Sequence, residues 1–135
     1  MIINNEQEML EAGAKLALQL KPGMLIFLQG DLGAGKTTLV RGILRGLGHQ
    51  GSVKSPTYNL VEPYMINDEP FFHFDLYRVM DLEELEYMGM RDYINKDSIC
   101  FIEWPDKGAG FLPEADLLID IKIKGSQREL LVTKS

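Results

Sequence analysis

The chain alternates between two kinds of hydrophobic pattern, and the alternation predicts its elements. From Glu6 to Leu20 the apolar and small residues Met9, Gly13, Leu16, Ala17 and Leu20 recur at helical spacing, which predicts a helix with one buried face. Lys21-Pro22-Gly23 ends it, because proline brings no amide hydrogen and glycine allows the turn. Met24-Leu25-Ile26-Phe27-Leu28 is then apolar without a break, the pattern of a strand covered on both faces. A glycine-rich segment follows directly, and a second helix is predicted from Lys36 to Leu47, weakened and stopped by Gly46 and Gly48.

Beyond the loop through Ser55-Pro56, strands are predicted over Tyr58 to Met65 and Phe71 to Leu76, with Pro63 marking a kink or a sheet edge. Asp81 and Glu84 resemble a capping box at the start of a helix whose apolar face is Leu82, Leu85 and Met88. Ser98 to Ile102 forms a second doubly covered strand. Ala115 to Lys124, a Gly125-Ser126 turn and Arg128 to Thr133 read as a β-hairpin. The order implies a three-layer α/β domain of P-loop NTPase type, spanning residues 1–135, with a mixed, partly antiparallel central sheet and a C-terminal β-hairpin.

Composition narrows the function classes. Of 135 residues, 45% are hydrophobic and 25% charged, ordinary for a globular domain. The lone cysteine, Cys100, allows no internal disulfide, and no apolar run approaches the ~20 residues of a membrane helix. The start has neither a basic region nor a long apolar stretch of a secretory signal, so a cytoplasmic protein without a membrane role is expected. A formal charge of −6, with 14 scattered basic residues, argues against tight direct binding of nucleic acid.

The chemistry is concentrated in Gly30-Asp31-Leu32-Gly33-Ala34-Gly35-Lys36-Thr37, which fits the phosphate-loop pattern without a gap. Its glycines let backbone amides crowd around an anion, and the helix that follows aims its unpaired amides and positive dipole end at the same place. In such a loop Lys36 bridges the β- and γ-phosphates of ATP, Thr37 ligates magnesium, and Thr38 adds a hydrogen bond to the α-phosphate. A strand directly before the motif and a helix directly after it make the match specific.

A magnesium ion held this way needs a carboxylate at a neighbouring strand end. Glu103 closes an apolar run and is the expected metal acid; Asp75, whose run is interrupted by His73, is expected to orient the attacking water or face the γ-phosphate. Thr57, in Ser55-Pro56-Thr57, either senses the γ-phosphate or simply follows a proline turn. Lys54 and Arg78 are either transition-state cations or surface charges. Trp104 would lie near the nucleotide if Glu103 does. Cys100 reads as a buried small hydrophobe, and the guanine-reading Asn-Lys-x-Asp pattern is absent. ATP is therefore preferred by default.

Taken together, Gly30 to Thr38, Lys54 to Tyr58 (KSPTY), His73 to Arg78 (HFDLYR), Glu83 to Asp92 (EELEYMGMRD) and Glu103-Trp104-Pro105 resemble the bacterial TsaE family, formerly YjeE, over nearly the whole chain. That resemblance implies an ATPase required to make threonylcarbamoyladenosine beside the anticodon of tRNAs. It further implies work with TsaD and TsaB, contact with tRNA only through that complex, and an ATP cycle that resets the complex between turnovers. It assigns the magnesium site to Thr37 and Glu103, the phosphate lysine to Lys36, an acid beside the nucleotide to Asp75 and a switch-like loop to Ser55-Pro56-Thr57. Trp104, Asn5 and Arg128 would border the nucleotide. The alternative use of such a loop is a small kinase acting on a nucleoside or metabolite, but no arginine-rich lid segment is visible.

Overall fold

The computed structural model describes residues 1–56 and 59–134. In chain order the elements are β1 (Ile2–Ile3), α1 (Glu6–Ala17), β2 (Leu25–Gln29), α2 (Lys36–Gly46), β3 (Val61–Ile66), β4 (Glu69–Asp75), α3 (Glu83–Tyr87), α4 (Met90–Tyr93), β5 (Ile99–Glu103), β6 (Leu117–Lys124) and β7 (Gln127–Lys134). Among the described residues the strands form one sheet in the order β1-β7-β6-β2-β5-β4-β3. Strands β6, β2, β5 and β4 run parallel at its centre, while β3, β7 and β1 join antiparallel at the two sides. This is the mixed three-layer α/β fold that the sequence implies.

The two faces of the sheet are separated by the period of two along each strand. From β2 and β5, Ile26, Leu28, Ile99 and Phe101 point into the layer of α1 and α2; Leu25, Cys100 and Ile102 point into the layer with Leu85 and Met90 of α3 and α4. Both central strands are thus apolar on both faces because both faces are covered. Helix α1 lies so close on α2 that a Cβ on Gly42 would stand 2.5 Å from the Leu10 carbonyl oxygen.

Several boundaries differ from expectation. Helix α1 stops at Ala17, three residues before the predicted end, because Gln19 and Leu20 donate to the carbonyls of Leu16 and Ala17 in a tightened i to i−3 turn. Strand β3 begins at Val61, since Leu60 holds a left-handed φ of 64° that breaks the extended run. It is the sheet's edge, where Pro63 is tolerated. Asn67 and Asp68, with φ of 51° and 65°, make the tight turn into β4, which starts at Glu69 rather than Phe71.

The capping pattern at Asp81 is realised in both directions, with Asp81 Oδ1 accepting the Glu83 amide at 3.0 Å. Glu84 Oε2 accepts from the Asp81 amide at 2.9 Å, but the helix is only Glu83–Tyr87, with Leu85 buried and Leu82 exposed. Of the predicted apolar face only Leu82 is corrected: Leu85 is buried, half-buried Met88 packs against the same core, and Met90 of the next short helix completes this layer. No helix among the described residues is long and apolar enough to cross a membrane.

Candidate functional site

Strand β2 ends at Gln29 and the chain turns into α2 through the glycine-rich loop. Gly35 is the last residue before the helix, with φ of 109°, an angle that L side chains rarely adopt. No side chain caps α2, so its first amides are unclaimed by a capping residue and converge on the loop. Buried Lys36 folds back so that its ammonium donates to the Gly30 carbonyl at 2.5 Å and lies 3.9 Å from the centroid of the Trp104 ring.

Parallel pairing of β4 with β5 brings the two expected acids side by side, with Asp75 opposite Glu103 at the ends of their strands. Thr37 Oγ1 donates to Glu103 Oε2 at 3.2 Å. Lys36, Thr37, Thr38, Asp75, Glu103 and Trp104 all line one cleft of about 280 Å³, together with Leu32, Gly33, Gly35 and Ser55. Burial pushes the Asp75 carboxyl above its ordinary range, although its Oδ1 accepts the Tyr77 amide at 3.0 Å; the nearby Glu103 charge adds to the rise. Burial also lowers the Lys36 ammonium, outweighing the opposing pull of Glu103, Asp75, Asp31 and Asp106.

A second cleft, of about 350 Å³, lies on the other side of the loop and also touches Gly33, Gly35 and Thr38. Asn5 and Arg128 line it, together with Ala34, Met9, Arg41 and Ser126. Asn5 also caps α1, its Oδ1 accepting the Glu8 amide at 2.9 Å, and Arg128 Nη2 donates to the Gly33 carbonyl at 3.3 Å. The loop is therefore shared by a cleft with two carboxylates and a lysine and one with two arginines and Glu6, which pairs with Arg41 at 3.2 Å; the first suits phosphates with a cation and the second a nucleoside. Asp31 faces neither cleft; it borders a shallow groove with Trp104 and Asp106, and its carbonyl accepts the Ala34 amide in the loop's turn. Thr57, the expected switch residue, lies outside the described residues.

The residues fit a hydrated magnesium ion accompanied by phosphate. Two carboxylates face one lysine in the cleft of Glu103 and Asp75, an excess of negative charge, and the Thr37 hydroxyl and the Glu103 carboxylate are already within hydrogen-bond reach of each other. No three His, Cys, Asp or Glu side chains among the described residues converge as a metal cage. Magnesium suits such a sparse donor set, because it retains waters and takes other oxygens from the nucleotide.

His73 is the residue that sequence reasoning missed. In the sequence it reads as an interruption in an apolar strand and as the first residue of HFDLYR, with no role of its own, yet its Nε2 lies 2.5 Å from Glu103 Oε2 with both side chains buried. The available signal was its position two residues before Asp75, on the same face of β4. Cys100 is the buried small residue expected, its thiol pushed up to about 11 by burial.

Comparison with known proteins agrees with this architecture. The family model described as threonylcarbamoyl adenosine biosynthesis protein TsaE matches residues 3–130. The chain is 55% identical over 133 residues to the tRNA threonylcarbamoyladenosine biosynthesis protein TsaE of Haemophilus influenzae, covering 95% of this chain and 84% of that one. It is 40% identical to the Bacillus subtilis protein of the same description, covering 91% of this chain and 78% of that one. Among solved structures, the crystal structure of Bacillus subtilis YdiB superimposes with a TM-score of 0.81 at 31% identity, covering 99% of this chain and 83% of that one.

Proposed function

The chain belongs to the TsaE family of threonylcarbamoyl adenosine biosynthesis proteins, and we propose that it serves tRNA modification as a magnesium-dependent ATPase. The observation that carries this reading is the pairing of Thr37 with Glu103 at 3.2 Å beside the Lys36 ammonium. One strand end and one helix start thereby set an oxygen pair and a cation around a phosphate-sized cleft.

In this reading the amides of the loop and of the α2 start hold the phosphates, and Lys36 leaves the Gly30 carbonyl to bridge the β- and γ-phosphates. Thr37 and Glu103 hold the magnesium, Glu103 through its water shell. The bound ion neutralises charge on the triphosphate. Asp75 orients the attacking water; its position opposite Glu103 places it on the same side of the cleft. Thr38 reaches the α-phosphate. Asn5 and Arg128 border the nucleoside in the second cleft, where Gly33 and Ala34 form the shared wall. Trp104 flanks the phosphates through its contact with Lys36.

Lys36 is the only cation among the described residues lining the phosphate cleft. An arginine finger typically adds 10³–10⁵ in rate to phosphoryl transfer. Slow turnover by the free protein follows, with acceleration in a complex with TsaD and TsaB, through which tRNA is reached. The protein then acts in the cytoplasm as a timing ATPase that resets the modifying complex.

The test is ATP hydrolysis by the purified protein with and without magnesium, repeated with TsaD and TsaB and scored alongside multiple-turnover tRNA modification. A free-protein rate equal to that of the assembled complex would contradict the accessory role. A Glu103→Ala protein that keeps full magnesium-dependent binding and hydrolysis would remove Glu103 from the metal site.

A further inference from the structure

We infer that His73 is a positioning residue that fixes the Glu103 carboxylate for magnesium, an inference that rests on the proposed magnesium–nucleotide reading. A carboxylate oxygen only accepts, so Nε2 carries the hydrogen in the 2.5 Å bond to Glu103 Oε2. Thr37 Oγ1 donates to that same oxygen at 3.2 Å. Two donors on one oxygen define the carboxylate's rotation and leave Oε1 unclaimed by either. Metal-binding groups oriented this way commonly depend on the outer partner for 10- to 100-fold in metal affinity.

Packing alone does not account for this histidine. It is fully buried, it stands between Phe71 and Asp75 on its strand face, and it pairs across the sheet with Phe101. Its Nδ1 is the buried side-chain polar atom among the described residues that has no hydrogen-bond partner. A leucine would fill such an apolar setting without an orphaned nitrogen. The ring keeps that unsatisfied atom while its other nitrogen is spent on Glu103. Such a trade makes sense where the orientation of the carboxylate matters more than the stability of the strand.

The experiment compares full-length wild type, His73→Leu and His73→Gln by binding of a ribose-labelled fluorescent ATP analogue, titrated with magnesium and repeated in chelator. Thermal melting without nucleotide accompanies each. The expected result is a His73→Leu protein that is folded and binds the analogue normally in chelator, yet needs about tenfold more magnesium for tight binding. His73→Gln, whose amide nitrogen reaches close to the place of Nε2, restores most of the magnesium response.

Equal weakening of His73→Leu with and without magnesium, an unshifted magnesium titration, or a His73→Gln protein no better than leucine would each overturn the inference. If His73→Leu does not fold, His73→Gln against His73→Asn decides, because the shorter amide reaches only the Nδ1 place: a shift confined to asparagine supports positioning, and equal behaviour refutes it. Wild-type binding that ignores magnesium defeats the functional reading and this inference together. Magnesium-dependent wild type with unshifted variants defeats this inference alone.

Discussion

The Lys36 ammonium lies 3.9 Å from the centroid of the Trp104 indole, while Tyr77 packs tilted against that indole at 4.9 Å between ring centroids. The lysine of the glycine-rich loop and the chain's single tryptophan are thus in contact. A triphosphate that draws Lys36 toward itself must change the surroundings of the indole. Addition of ATP is expected to change the intrinsic tryptophan fluorescence, and adenosine is expected to leave it nearly unchanged. In Lys36→Ala, which has no ammonium to leave the indole, that fluorescence response should be lost, and binding of a ribose-labelled ATP analogue should need at least about tenfold more ligand, the scale of a lost charge-assisted hydrogen bond. An unaltered fluorescence titration in Lys36→Ala would show that the lysine does not meet the phosphates.

Trp104 also holds an unusual backbone. Its φ and ψ of 57° and 52° are left-handed, a region that costs an L residue about 1–2 kcal/mol. Comparing two variants that both lack the ring isolates that cost. Trp104→Gly should be more stable than Trp104→Ala by about 1 kcal/mol, the reverse of the order in a helix. Urea unfolding of the two proteins measures it, and equal midpoints would place the strain elsewhere.

The contact of α1 with α2 sets a sharper conflict. Alanine at Gly42 improves helix propensity by about 1 kcal/mol. Its Cβ, however, would meet the Leu10 carbonyl oxygen at 2.5 Å and the Leu10 Cα at 2.9 Å, both backbone atoms that cannot swing away. Overpacking of this kind costs about 1–3 kcal/mol or more, so the clash should win. Gly42→Ala is expected to lower the urea midpoint, and because α2 begins at Lys36, to weaken ATP binding as well.

The sequence declared the parts of this arrangement that depend on neighbours in the chain, and stayed silent where distant pairing decides. Runs such as Leu25–Leu28 and Ile99–Ile102 read as doubly covered strands because each residue alone carries the signal. The phosphate loop is contiguous, so its strand–loop–helix context was legible from residue order. By contrast, β1 has two residues and exists only through pairing with β7, Ile2 with Glu129 and Ile3 with Arg128. The cleft lined by Asn5 and Arg128, which β1 helps to line through Ile3, was consequently expected only through family resemblance. His73 escaped for the same reason: its meeting with Glu103 depends on the parallel register of β4 and β5, which no local pattern encodes.

Asp75 gives a pH dependence with a definite sign. Its folded-state pKa is raised above the ordinary 3.8, chiefly by burial, so the folded protein holds this proton more tightly than the unfolded chain. The associated stability is present below 3.8 and is lost as pH rises through the folded value. Asp75→Asn keeps an oxygen to accept the Tyr77 amide and removes the buried charge. At neutral pH the variant should melt higher than wild type, with the gap closing as the pH falls through the titration of the folded carboxyl. If Asp75 orients the attacking water, the same variant binds ATP but hydrolyses it at least about 100-fold more slowly. A more stable protein with undiminished hydrolysis would leave Asp75 a buried acid with no part in the chemistry.

Arg128 provides a test of whether the two clefts divide the nucleotide between them. Its Nη2 bonds the Gly33 carbonyl at 3.3 Å, and its side chain lines the cleft opposite to Glu103 and Asp75. If the nucleoside lies there, Arg128→Ala removes ground-state contact without touching the groups that act on the γ-phosphate. KM for ATP should then rise about 3- to 10-fold while kcat holds within about twofold, the pattern of lost uniform binding. Inorganic triphosphate, which has no nucleoside, should bind wild type and Arg128→Ala with nearly equal affinity. A fall in kcat with KM unchanged would instead tie Arg128 to the loop's conformation through Gly33, and would move the nucleoside away from this cleft.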